Sequence, residues 1–386
     1  MNQFNFGPQP LSNRYIEKNS FQEKEFKHPL ILAQDHLGLV RIQDPIPYNE
    51  MKPKFDWLTE TEPANHLKTV SAMITDVVSQ DSCKTLGLSY RDRRHAEILS
   101  EKFGATQIDF IDYQSLTSEK YFKIETFQHL IVEKTDVLQK VHGKFDLILG
   151  NRILHHVHQP KSFLTAISNM LTDDGHVYFE VPDCQRGFFD KDYTMLFEEH
   201  TLYFTKTSLF NLLESNGFEV LWCFEYMYPV ENSLSILAKK RRNALAQTET
   251  NINFEQQYFS YFVEMFDKTK HKIQKYFKEL SKKNKICLFG AGHHGTTFIN
   301  LFNLSQYFEF VVDDNEMKHE YLLPGTSLGI VSSEQLLDQK MDYCFLSVSQ
   351  VNENKIIKKI CSLSNSVKCF SIFPKSANTF PLDISK

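Results

Sequence analysis

Leu86-Gly87-Leu88-Ser89-Tyr90-Arg91-Asp92 decides the fold, because it joins an apolar run over residues 84–88 to a helical pattern over residues 95–103. A strand that ends in a tight turn and opens a helix begins a βα unit. Strand-like runs follow at residues 107–111, 145–149 and 176–181, with helical patterns at 160–171 and 207–216. This alternation over residues 71–240 predicts a doubly wound parallel α/β sheet with helices on both faces, its ligands held at the carboxyl ends of the strands. The turn is short of glycine, since Ser89 and Tyr90 carry Cβ atoms that disfavour positive φ. It nevertheless occupies the place where this fold holds a nucleoside. Asp112, which ends the next strand, suits ribose hydroxyls or else starts the turn Tyr113-Gln114-Ser115.

Working outward, residues 1–70 are rich in Pro and turn residues with only short apolar runs, and read as a small lobe. Residues 241–283 carry Phe254, Tyr258, Tyr261, Phe262, Met265, Phe266, Ile273, Tyr276 and Phe277 at three- and four-residue steps, which predicts a long amphipathic helix with a packing role. From residue 284 to 386 a second βαβ pattern begins. The expected architecture is therefore two doubly wound Rossmann-like domains joined by a long helix, with a small N-terminal lobe. The later domain contains Gly290-Ala291-Gly292-His293-His294-Gly295, followed about twenty residues on by Asp313-Asp314-Asn315. Alone, that spacing would suggest NAD; such glycines also serve tight strand-to-helix packing.

A chain of 386 residues exceeds what one core serves, and 33 Phe argue for a folded interior. A net charge of −5 implies neither a nucleic-acid surface nor a polybasic membrane anchor. The seven cysteines contain no C-x-x-C pair, so neither a zinc cage nor a disulfide framework is expected. No run of 18 apolar residues and no basic-then-apolar leader is present, and a cytoplasmic protein is expected.

Phe197-Glu198-Glu199-His200-Thr201-Leu202-Tyr203-Phe204 puts carboxylates beside a histidine. An imidazole oriented by a carboxylate is suited to general-base chemistry near neutral pH, which makes His200 the candidate base and Glu199 its support. His155, His156 and His158 form an H-H-x-H run. Their spacing does not put three ligands on one helix face, so no metal is expected.

Taken in order, these motifs resemble the S-adenosylmethionine-dependent sugar C-methyltransferases that build branched deoxysugars on nucleotide carriers. The resemblance covers nearly the whole chain. It rests on Phe6-Gly7-Pro8-Gln9-Pro10-Leu11-Ser12-Asn13-Arg14-Tyr15, on Trp57-Leu58-Thr59 with Glu62-Pro63 and His66-Leu67, and on Asn151-Arg152-Ile153-Leu154-His155-His156. It continues through Phe179-Glu180-Val181-Pro182-Asp183, the E-E-H-x-x-Y-F run, and Leu323-Pro324-Gly325-Thr326. The resemblance implies methylation of a carbon next to a ketone on a nucleotide-linked ketosugar, with His200 and Glu199 at the base position and His156 as a donor to the enolate. Gly87, Ser89, Tyr90, Asp92, Asp112 and Asn151 become the expected cofactor contacts. Asn13, Arg14, Trp57, Thr59, Glu62, His66 and Tyr203 become the expected substrate contacts. In the family a zinc-binding lobe carries cysteines before a G-L-V-Q segment; here Gln34 and Leu37 stand ahead of Gly38-Leu39-Val40-Arg41. Gly87 and Ser89 replace the family's acid and first glycine, Phe197 replaces a tyrosine, and Glu60 also stands where tyrosine is usual. These departures raise a second expectation, a methyltransferase-like binding subunit without catalysis. The resemblance implies that the later domain helps close the cleft over the carrier nucleotide, with Gly290–Gly295 read as packing or phosphate contact, and the sequence leaves the oligomeric state open.

Overall fold

The computed structural model describes residues 3–20, 25–52, 54–55, 64–78, 83–103, 107–117, 124–229, 231–242, 251–364 and 366–382. Trp57, Thr59 and Glu62, expected at the substrate, lie outside them. The chain forms two compact units from interleaved segments. The first contains Ala33–Gln185 and Glu199–Gln257; the second contains Gln3–Leu32, Arg186–Glu198 and Tyr258–Lys386. The sequence reading had divided the chain at residues 70, 240 and 283 instead.

The first unit is built on a six-stranded sheet in the order Phe218–Tyr226, Asn232–Lys240, Leu171–Asp183, Phe145–Asn151, Thr85–Gly87, Ile108–Phe110. The last four strands are mutually parallel, as the βα alternation predicts. The sheet is not parallel throughout, because Asn232–Lys240 runs antiparallel to both its neighbours. Ile148 packs into the core on one face, and Leu147 and Leu149 into the core on the other. Helices Ile124–Glu133, Thr135–His142, Pro160–Met170 and Lys206–Ser215 supply the first core; Leu67–Thr75 and Arg93–Phe103 supply the second. From Thr85–Gly87 the chain proceeds toward one sheet edge, and from the adjacent Phe145–Asn151 toward the other. Their carboxyl ends therefore frame the crevice at which doubly wound sheets bind ligands.

The second unit holds a five-stranded, all-parallel sheet in the order Ile330–Val331, Val311–Val312, Ile286–Phe289, Tyr343–Leu346, Lys368–Ser371. Its register sets Cys287 beside Cys344, and Cys344 beside Cys369. The expected long helix spans Asn253–Leu280. Phe262, Phe266, Ile273, Tyr276 and Phe277 are buried, as is Phe259, whereas Phe254 and Tyr261 face solvent. Phe6, from the strand Gln3–Pro10, packs on Phe262 and Phe266 with ring centroids 6.2 and 4.8 Å away. Among the described residues no helix is long and apolar enough to cross a membrane.

Candidate functional site

The strand Phe145–Asn151 ends at Arg152, which takes the left-handed conformation with φ of 54° while its N–H donates to the Glu180 carbonyl at 2.9 Å. That reversal turns the chain into the single helical turn Leu154–His156 at the rim of the crevice. His155 and His156 are both buried, with ring centroids 4.1 Å apart. Thr201 fastens a distant segment to this turn: its N–H donates to the His155 carbonyl at 2.9 Å and its hydroxyl to the Val157 carbonyl at 2.9 Å. Leu202 and Tyr203 then pair antiparallel with Arg41 and Val40. The half-buried His200 is thereby held with its ring 4.6 Å from that of His155 and 5.0 Å from that of His156.

His156 Nδ1 lies 2.8 Å from the Glu199 carbonyl oxygen. A carbonyl only accepts, so Nδ1 carries the proton and Nε2 of the neutral ring carries the lone pair. Burial, reinforced by nearby positive groups including Arg91 and Arg152, pushes both His155 and His156 well below the usual histidine range. The Nδ1 proton of His156 is thus held by the Glu199 carbonyl. Glu199 meets the cluster through its backbone carbonyl, and its side chain is buried. Its neighbour Glu198 belongs to the second unit, where its carboxylate accepts from the N–H and hydroxyl of Ser12.

Around the cofactor turn most of the expected contact residues are engaged with partners inside the protein. Asp92 is fully buried and accepts from the Asn151 N–H at 2.7 Å, the Asn151 amide at 2.6 Å and the Ser89 N–H at 2.7 Å. The Asn151 side-chain oxygen in turn faces His95 Nδ1 at 3.3 Å. Asp92, Asn151 and Ser89 are thus engaged as struts joining two strand ends. Burial raises the Asp92 carboxyl to about 7 against the opposing hydrogen bonds, and lowers His95 to about 4. Gly87 is required for packing, because a Cβ there would lie 2.5 Å from the Phe110 ring. Tyr90 is half exposed, and the exposed Asp112 starts a turn by accepting from the Gln114 N–H at 3.1 Å.

His66 and Tyr203, expected at the substrate, are buried. His66 donates from Nε2 to Glu180 at 3.1 Å, and its Nδ1 lies 2.6 Å from the Tyr228 hydroxyl oxygen. Glu180 also receives Arg152 Nε at 3.1 Å and the Ser233 hydroxyl at 2.8 Å. Burial alone would raise this carboxyl, but His66, Arg152 and Ser233 together hold it down to about 2. The sequence reading missed this ion network, although Glu180 stands inside a quoted motif. Asn13 and Arg14 are half-buried in the turn after Gln3–Pro10, in the second unit.

Where cysteines would stand in a zinc lobe, Gln34 donates to the Gly38 and Glu255 carbonyls at 3.2 and 2.9 Å, and Leu37 packs into a hydrocarbon core. Those side chains supply no thiolate, so a family-type zinc site does not fit. In the second unit the glycine turn is closed by its own contacts. The Ala291 N–H donates to Asp313 at 2.8 Å, and the Ala291 carbonyl accepts from Tyr15 and Lys318. A Cβ on Gly295 would lie 2.6 Å from the Gly290 carbonyl oxygen. Asp313, the acid at the ribose-binding spacing, is thus committed to its own turn and to Lys318.

Residues 75–222 match the family model described as a methyltransferase domain, and residues 231–366 match that of the C-methyltransferase C-terminal domain. In these two stretches the chain is similar to S-adenosylmethionine-dependent C-methyltransferases. It is 23% identical over 224 residues to C-methyltransferase NovU of Streptomyces niveus, covering 53% of this chain. The chain spans about half the length of that curated relative, 51%. Among solved structures it resembles the Burkholderia thailandensis 1,6-didemethyltoxoflavin-N1-methyltransferase, with 16% identity, TM-score 0.31 and coverage of 46% of this chain and 79% of that one. It also resembles an S-adenosylmethionine-dependent methyltransferase from Listeria monocytogenes, with 14% identity, TM-score 0.33 and coverage of 47% and 100%.

S-adenosylmethionine is the cofactor of this family, and the donor set at the rim fits its nucleoside half. Asp112 offers an exposed carboxylate at the carboxyl end of Ile108–Phe110, and Tyr90 an exposed aromatic face on the neighbouring turn. Gly87, Ser89, Asp92 and Asn151 shape that rim from within.

Proposed function

We propose that the chain methylates a carbon next to a ketone on a nucleotide-linked ketosugar, with His200 as the general base. The observation that carries this reading is the rim cluster, in which His200 is the half-exposed ring beside two buried imidazoles. Bound S-adenosylmethionine supplies an electrophilic methyl group on a sulfonium. His200 takes the proton made acidic by the adjacent ketone, and Thr201, tied to the His155–Val157 carbonyls, fixes where that ring stands. Arg91 and Arg152 contribute positive charge near the buried rings and favour negative charge developing on the enolate oxygen. Asp112 and Tyr90 would hold the nucleoside half of the cofactor.

The test is solvent deuterium exchange at the α-carbon of a nucleotide-linked ketosugar, followed by mass spectrometry without cofactor. Exchange by the wild-type protein and its loss in His200→Ala is the expected result; equal exchange by the variant removes His200 from the base role. The second reading, a binding subunit without catalysis, is favoured by the Phe110 ring covering Gly87. Calorimetry with S-adenosylmethionine separates the two, since folded protein that binds no cofactor supports the subunit. The closed Ala291–Asp313 turn favours packing over an NAD-dependent activity.

A further inference from the structure

Sequence spacing argued against a metal because His155, His156 and His158 cannot share a helix face. The structure assembles a different trio. One ring nitrogen from each of His155, His156 and His200 lies within 4.8 Å of the others, and the third member arrives from a segment 44 residues downstream of His156. We propose that these three imidazoles form a capture site for a borderline divalent transition metal such as Zn²⁺, and that loading it withdraws His200 from proton transfer.

Five features support the site. A three-histidine set with a fourth position left to water is an ordinary zinc arrangement. Tetrahedral ligands at about 2.0–2.1 Å from zinc stand about 3.3 Å apart, so closure needs only modest ring movement. His155 Nδ1 is buried without a hydrogen-bond partner, leaving a polar atom that the protein does not satisfy. His156 has its Nδ1 proton committed to the Glu199 carbonyl, which orients the ring and directs the Nε2 lone pair outward from that bond. The mouth is accessible, because His200 is half-buried rather than sealed.

Surrounding charge selects the metal. Arg91 and Arg152 both lie near the rings and disfavour positive charge on them, and Arg152 is also paired with Glu180 and Glu231 at 3.1 and 2.9 Å. A hard cation bound through oxygen gains nothing here to offset that repulsion. An imidazole-preferring ion does, and the order of affinity among such sites favours Cu²⁺, Ni²⁺ and Zn²⁺ over Mn²⁺.

The binding half of the proposal stands on geometry; the inhibitory half rests on the proposed role of His200. Full-length protein, stripped with chelator, is titrated with Co²⁺ while visible absorption is recorded, and with Zn²⁺ in a calorimeter. One equivalent with a tetrahedral Co²⁺ spectrum is expected. Loss of one ligand in His155→Ala or in His200→Ala should weaken binding by about 100-fold or more, since even supporting partners are worth about 10–100-fold. His200 is half-exposed, so its variant tests the site should the buried His155 variant fail to fold. Unchanged stoichiometry and affinity in a folded variant overturns the site. Zn²⁺ should suppress wild-type deuterium exchange, and chelator should restore it. Metal binding with undiminished exchange overturns the inhibitory half alone, while exchange by metal-free protein reports separately on His200 as the base.

Discussion

His200 combines solvent access with a fixed position, so removing its imidazole tests the proposed proton transfer apart from cofactor binding. His200→Ala should lower turnover by about 100-fold or more, in the range of a lost general base. Affinity for S-adenosylmethionine, measured by calorimetry, should stay within about twofold, because Asp112 and Tyr90 are untouched. Asp92 sets a different dependence. Its carboxyl is raised to about 7, so between its ordinary value and that pH the folded protein holds a proton that the unfolded chain has released. Its contribution to stability therefore declines as pH rises across that window, and the buried Glu198 and Asp183, also raised to about 7, act in the same direction. Because the buried His95, His155 and His156, lowered by burial, act in the opposite direction, the effect is read as a difference: in calorimetric melts the stability advantage of the wild type over Asp92→Asn should shrink as pH rises from about 4 to about 7. At the residue scale the sequence placed His200 and Asp112 where the fold leaves them at the rim with solvent access. For Asp92, Asn151 and His66 the sequence shows only a polar side chain near the rim, and the fold adds that their hydrogen-bond partners are internal.

At the scale of elements, the strand ends Thr85–Gly87 and Phe145–Asn151 are bolted together by Asp92, Asn151 and Ser89, while Phe110 fills the space over Gly87. Gly87→Ala should destabilise the protein by about 1–3 kcal/mol through overpacking, read from urea unfolding. Phe110→Leu should recover part of that loss in the double variant, a coupling expected of residues in contact. Simple additivity would show that the ring does not set the need for glycine. The four parallel strands were readable from alternation and apolar runs. The antiparallel insertion of Asn232–Lys240 was not, because pairing direction depends on a hairpin with Phe218–Tyr226 whose residues lie outside the βα rhythm. The long helix was readable from its aromatic period, although the period alone did not separate buried Phe259 from exposed Tyr261.

For the whole molecule, the interleaving of segments limits how the chain can be cut. The second unit needs Gln3–Leu32 and Arg186–Glu198: Tyr193 donates to the Phe262 carbonyl at 2.8 Å, and His294 Nδ1 lies 3.0 Å from the Thr194 carbonyl oxygen. A fragment of residues 258–386 should therefore lack a cooperative thermal transition by circular dichroism. A sharp melt with dispersed NMR signals would show that those segments are dispensable. Sequence reading placed boundaries where composition changes, but composition does not report which distant segments complete a core. Finally, the side-by-side thiols of the second sheet give that unit its own chemical clock. Cys287 and Cys344 are fully buried and unbonded to one another, so an alkylating reagent reaches them only when the parallel strands part. Cys83 and Cys184 are buried in the first unit, so timed labelling followed by peptide mapping would read the opening of each half in one experiment.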